Sequence, residues 1–137
     1  MREDMYRQSG VIPIRARPGG FEVLAIKNRS GRQWIFPKGI VEAGMTPGES
    51  AMKEAYEEAG VRGSLGRRAG EYKSRKWGGT CRIAMFFLED VSLLDSWPED
   101  FRKRKWIEVD EQLADRMHRD LRPITERLPD ICEERER

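Results

Sequence analysis

Three glutamates, Glu54, Glu57 and Glu58, fall within the eight-residue stretch KEAYEEAG that runs from Lys53 to Gly60. On a helix, positions i, i+3 and i+4 share one face, so these carboxylates converge while Ala51, Ala55 and Ala59 keep the other sides slim. Like charges at this spacing weaken an isolated helix by roughly 0.2–0.5 kcal/mol per pair, which calls for a compensating partner. A hard divalent cation is a natural one: Mg²⁺ prefers carboxylate oxygens and keeps positions open for waters and substrate phosphates. The plain alternative is a solvated acidic helix face. The surrounding residues argue against it. Gly39 and the loop to Gly44 can bring backbone carbonyls close to a cation, Lys38 can meet a phosphate oxygen on the same side, and Lys53 is placed to hold a carboxylate in position.

The elements that must position these groups are marked in the sequence. Thr46 can cap a helix, Pro47 suits the first helical position, and Glu49 completes a capping box with Thr46. Gly60 supplies the stop, so a helix is expected over 47–59. GVIPIRA and FEVLAIKN, separated by RPGG, read as a hairpin or close strand pair, and QWIFP as a third short strand. YKSRKWGGTCRIAMFFLEDV reads as two strands joined around Gly78 and Gly79, and RKWIEV as another. DEQLADRM and LRPITERL are expected as terminal helices, the second starting near Pro123, with DICEERER a frayed or solvated helical end. Strands mixed with helices, without an internal repeat, give an α+β or mixed α/β domain.

The 137-residue chain is 38% hydrophobic and 36% charged, which fits one soluble globular domain. No apolar run approaches the roughly 20 residues of a membrane span, and MREDMYRQSG has no signal-peptide core, so the expectation is no membrane partner and a cytoplasmic location. Cys81 and Cys132 form no CxxC pair and read as reduced structural thiols. The net charge of +2 conceals uneven placement, with acid at 42–58 and base in GRR (66–68), KSRK (73–76) and RKRK (102–105). Base flanking an acidic centre points to a polyanion. Trp34, Trp77, Trp97 and Trp106 are candidates for base stacking or, more simply, for packing. His118, the only histidine, lies late in the chain in a helix pattern and receives no catalytic role.

The run GIVEAGMTPGESAMKEAYEEAGV (39–61) resembles the signature of the Nudix hydrolases, Gly-x5-Glu-x7-Arg-Glu-U-x-Glu-Glu-x-Gly-U, where U is a bulky aliphatic residue. Gly39, Glu54, Glu57, Glu58, Gly60 and Val61 match at the required spacing. Met45 stands where the first signature glutamate is expected, Lys53 replaces the arginine, and Ala55 replaces a larger aliphatic residue. Lys53 keeps the charge without the guanidinium fork. Met45 cannot bind a hard metal, and either Glu42 or Glu49 is left as a substitute. Beyond the signature, WIFPKG, LGRRAGEY, AMFFLEDV, SWPED and RKRKWIEVDEQL resemble the branch of diphosphoinositol polyphosphate and diadenosine polyphosphate phosphohydrolases.

That resemblance implies an α/β/α sandwich with a mixed β-sheet, one domain over 1–137 with its core at about 10–128 and flexible termini. It implies Mg²⁺-dependent hydrolysis of a diphosphate bond in a nucleoside diphosphate linked to another group, a diadenosine polyphosphate or a diphosphoinositol polyphosphate, with Mn²⁺ as a substitute metal. Gly39, Glu54, Glu57 and Glu58 form the expected metal set, with Glu54 and Glu58 the firmer ligands. Glu57, as base, forms the catalytic group with Glu54 and Lys53. Arg15, Lys38, Arg102 and Arg104 are expected to bind a phosphorylated small molecule. Two rival readings stand beside this one: a nucleic-acid-binding module, disfavoured because it leaves the glutamates unexplained, and a Nudix-like sensor that has lost activity. A homodimer is left open.

Overall fold

The computed structural model describes residues 6–76 and 78–135. Residues 1–5 and 136–137, the outer parts of the termini expected to be flexible, and Trp77 lie outside the described residues. Strand β1 (Tyr6–Arg17) turns through Pro18 and Gly19 into β2 (Gly20–Lys27), which pairs with it antiparallel from Ile14↔Val23 to Arg17↔Gly20. Gly19 takes φ +85°, a conformation that glycine reaches without steric cost. The expected hairpin is therefore present. Short strands β3 (Trp34–Ile35) and β4 (Lys38–Ile40) follow, the first pairing with β2 and the second with the opening half of β1.

Two long strands build the rest of the sheet. β5 (Val61–Lys76) and β6 (Gly79–Leu93) pair antiparallel, and β6 lies parallel to β1 from Tyr6↔Cys81 to Pro13↔Leu88. β5 starts eleven residues earlier than the sequence stretch YKSRK indicated, because register shifts between Arg62 and Gly70 carry the pairing through the glycine-rich, weakly patterned GSLGRRAG. β7 (Arg104–Glu108) closes against β2. One parallel pairing among antiparallel ones makes the sheet mixed.

Helices cover both faces. On one side, α1 (Pro47–Glu54) runs into a single π turn at Ala55–Ala59, and Ala51, Ala55 and Ala59 pack with Val11, Leu24, Ile26 and Leu88. On the other, α2 (Leu113–Arg116), a 3₁₀ turn at Arg119–Leu121, α3 (Arg122–Thr125) and α4 (Leu128–Arg135) set Leu113, Leu121, Ile124 and Leu128 against Ile12, Val23, Ala25, Ile83 and Phe87. Successive residues such as Val11 and Ile12 point to opposite faces, as strand pleating requires. This is the expected α/β/α sandwich. The DICEERER tail differs from a frayed end: α4 continues to Arg135, Cys132 is buried, and Arg135 pairs with Glu89 on β6. Cys81 and Cys132 are buried and form no disulfide. Among the described residues no helix is long and apolar enough to cross a membrane.

Candidate active site

The capping box read from the sequence sets the start of α1. Thr46 Oγ1 accepts from Glu49 N at 3.1 Å and Glu49 Oε1 accepts from Thr46 N at 2.8 Å. Glu49 is thereby committed to the cap. At the other end Gly60 takes φ +62°, and its N–H bonds back to the carbonyls of Ala55 and Tyr56. The five-residue reach to Ala55 is the π turn that the sequence did not announce. Such single π turns often occur at functional sites, and this one begins directly after Glu54.

Glu54 and Glu58 face a cavity of about 470 Å³, lined also by Gln8, Lys38, Gly39, Glu42 and Arg102. Glycine at 39 is a geometric requirement. A Cβ there would stand 2.3 Å from Glu54 Cδ and 2.6 Å from each carboxylate oxygen, so only a bare backbone lets Glu54 lie against the loop. Glu58 is buried and accepts from Lys38 N at 3.2 Å. Burial pushes its carboxyl up to about 8, against the pull of the Arg102 charge and the Lys38 N–H, and its hydrogen bond to Glu54 pushes the same way. Burial also raises Glu54, while that shared hydrogen bond lowers it. With no cation present, burial therefore favours the protonated form at both carboxyls, most strongly at Glu58.

Glu57 lies outside the lining of this cavity. Its Oε2 is 3.6 Å from Lys53 Nζ, and Lys53 in turn grips both oxygens of Glu42 at 3.0 and 2.9 Å. The Glu42 hydrogen bond is the main cause holding the Lys53 amine above its usual range. Glu42 N also donates to the buried Ser50 Oγ at 3.1 Å. Glu42, three residues before Met45, is the carboxylate that stands beside Lys53, while Glu49 is engaged in the helix cap. The Met45 side chain makes a long contact, its sulfur 3.9 Å from Ser50 Oγ, while its backbone N–H donates to the Glu42 carbonyl at 3.1 Å. Among the described residues no three carboxylate, histidine or cysteine side chains already stand together as a cation site. Of the three glutamates on this face, Glu54 and Glu58 share a hydrogen bond and line the cavity, while Glu57 stands near Lys53 outside its lining. That pair, mutually repulsive once ionised and cradled at Gly39, fits a divalent cation.

The expected substrate cations divide. Lys38 lines the cavity and donates to Gln8 Oε1 at 3.1 Å. Arg102, 7% exposed, also lines it, fixed by Glu99 Oε1 and the Lys27 carbonyl. Arg15 lines a different cavity, bonded to Glu22 and lying over Trp106. Arg104 donates to the carbonyls of Ala59 and Gly60 and lies over Trp97, so it closes the end of the helical segment that carries the glutamates. Arg68, from the basic segment GRR, and Arg82, on β6, are paired with Glu71 away from the Glu54–Glu58 pair. Sequence reasoning missed Gln8 as a lining residue. A lone glutamine in a strand carries no chemical signal, and only the Gln8↔Ile40 pairing of β1 with β4 brings it there. His118 Nδ1 accepts from Asp120 N, a turn-capping role.

Comparison with known proteins agrees with this geometry. The sequence matches the NUDIX domain over residues 5–128. It is 33% identical over 117 residues to the rat protein "Diphosphoinositol polyphosphate phosphohydrolase 2", covering 82% of this chain and 63% of that protein. It is 38% identical over 106 residues to the Arabidopsis thaliana protein "Nudix hydrolase 16, mitochondrial", covering 71% of this chain and 59% of that one. The chain thus spans somewhat under two thirds of the length of these curated relatives. In fold it is similar to a C. elegans Ap4A hydrolase in a binary complex, with TM-score 0.72 at 17% identity over 95% of this chain and 99% of that one. The solution structure of the E. coli ORF135 protein is equally similar, with TM-score 0.72 at 18% identity over 93% and 91% of the two chains. The sequence signature, the mixed sheet between helical layers and the match over 5–128 together place this chain in the Nudix family.

Proposed function

We propose that the chain hydrolyses a phosphoanhydride bond in a highly phosphorylated small molecule, with Mg²⁺ as the metal and Mn²⁺ as a substitute. The observation that carries this reading is the single cavity in which Gly39, the coupled Glu54–Glu58 pair, Lys38 and Arg102 meet. Relatives described as diphosphoinositol polyphosphate phosphohydrolases support the reaction class.

In the reaction a water oxygen bonds to phosphorus, the bridging P–O bond breaks, and the leaving phosphate takes the bond electrons while the water proton passes to a carboxylate. Glu54, Glu58 and the Gly39 carbonyl would hold the cation, and Glu57, outside the cavity lining but near enough to Glu54 for their charges to interact, would complete the set. When bound, it neutralises diphosphate charge and makes water a better nucleophile. Glu57 is the assigned base, and Lys53, between Glu42 and Glu57, orients it. Lys38 and Arg102 meet the phosphate oxygens. Arg102 is held rigidly by Glu99, so it presents its charge without a large ordering cost. Arg15 and Arg104 take structural roles.

A substrate panel tests this reading: nucleoside polyphosphates, diadenosine polyphosphates and diphosphoinositol polyphosphates, assayed for released phosphate or nucleotide with Mg²⁺, Mn²⁺ and chelator. Metal-dependent turnover of at least one class is expected. Ligand binding without turnover of any class would instead identify a sensor.

A further inference from the structure

The tryptophans with described side chains are already covered by cations. Arg15 lies 3.9 Å from the ring centroid of Trp106, Arg104 lies 3.9 Å from that of Trp97, and Lys27 Nζ lies 4.4 Å from that of Trp34. Trp97 is further committed by its Nε1–H, which donates to the Glu58 carbonyl at 3.1 Å. Phe101 is different. It is 62% exposed, the most open of the large hydrophobic side chains among the described residues. A single exposed apolar residue is ordinary on a protein surface and needs no explanation by itself.

The surroundings of Phe101 are what call for one. The guanidinium carbons of Arg29 and Arg102 lie 6.0 and 5.7 Å from its ring centroid, and both arginines line the cavity that holds Glu54 and Glu58. Arg102 is fixed through Glu99 and the Lys27 carbonyl, so the backbone that carries Phe101 is anchored at the very next residue. Arg29 also reaches Glu99, at 3.5 Å. An open aromatic ring is thus held beside two cations that belong to a phosphate-sized cavity. A ligand that joins an aromatic ring to a chain of phosphates matches that pairing. A polyphosphorylated cyclitol has the phosphates and no π face.

We propose that Phe101 is a stacking platform for the nucleobase of a nucleoside polyphosphate, whose phosphates enter the cavity past Arg29 and Arg102 toward Lys38. The proposal rests on the hydrolase reading for its kinetic form and deepens it by choosing the nucleotide substrates over the inositol ones. Aromatic stacking on a base is sequence-tolerant, and its loss weakens binding by about 5- to 100-fold. Such a contact is made equally in the ground and transition states, so its removal raises KM and leaves kcat nearly unchanged.

The test measures KM and kcat for a diadenosine polyphosphate and for a diphosphoinositol polyphosphate in wild type, Phe101→Ala and Phe101→Trp, with calorimetric binding of a methylene-bridged, non-hydrolysable diadenosine polyphosphate alongside. Phe101→Ala is expected to raise KM for the dinucleotide by about 5- to 100-fold, to weaken the analogue equally, and to leave the inositol substrate unaffected. Phe101→Trp is expected to restore dinucleotide KM. An unchanged dinucleotide KM in Phe101→Ala, an equal rise for both substrates, or no binding of the analogue by wild type overturns the proposal. Wild-type binding of the analogue that depends on Phe101, without turnover of either substrate, supports the stacking site while counting against the hydrolase reading.

Discussion

At Glu58 the burial that shapes the cavity also fixes a pH dependence. Its carboxyl titrates near 8 in the folded chain and in the usual range when unfolded, so between the two values the folded state binds more protons. Stability of the metal-free protein from this group is therefore fully present below about pH 4 and declines as pH rises through 8. Divalent cations need the ionised form, so their affinity should rise over the same interval. Melting temperature and Mn²⁺ affinity, each followed from pH 5 to 9, check the two opposite slopes. The ion pair of Lys53 with Glu42 gives a second expectation. Both side chains are largely open to solvent, and such pairs contribute little stability. Glu42→Gln should therefore hardly move the melting temperature, yet lower kcat by loosening Lys53 beside Glu57. The glutamates and Gly39 were legible in the sequence because the chemistry fixes their spacing. The pairing of Glu42 with Lys53 was not, because it depends on how a loop folds back over 11 residues of separation.

At the scale of elements, the helix that carries the carboxylates is determined at its ends. The start was readable, since a capping box is a local pattern. The π turn was not: its cause lies in tertiary packing, where Gly60 must clear Trp97 and the Ala59 and Gly60 carbonyls must meet Arg104. A Cβ on Gly60 would come within 2.5 Å of the Trp97 ring while the backbone sits at φ +62°. Gly60→Ala should accordingly cost about 2–4 kcal/mol in chemical denaturation, from the left-handed conformation plus overpacking. The outline of the long strand pair was legible from CRIAMFFLEDV, whose alternate residues Cys81, Ile83, Met85 and Phe87 are buried. The early start of β5 was hidden, because bulges break the two-residue period on which such reading depends.

For the whole molecule, two apolar layers lie on opposite faces of one mixed sheet, with the carboxylate cavity where the loop before α1 meets β1. The α/β/α arrangement followed from the sequence resemblance, whereas the parallel pairing of β1 with β6 depends on chain path and leaves no local trace. A cation that binds only the folded cavity stabilises the entire fold by mass action, by about 2.7 kcal/mol at one hundred times its dissociation constant. Mg²⁺ should therefore raise the melting temperature of wild type and fail to do so for Glu54→Gln. The central claim, that the Glu54–Glu58 carboxylate pair performs metal-dependent chemistry, is tested most directly by the Mg²⁺-dependent rate of phosphoanhydride hydrolysis in Glu58→Gln relative to wild type. The predicted result is a loss of about 100-fold or more in kcat with the circular dichroism spectrum unchanged; a folded Glu58→Gln protein that turns over at the wild-type rate would contradict it.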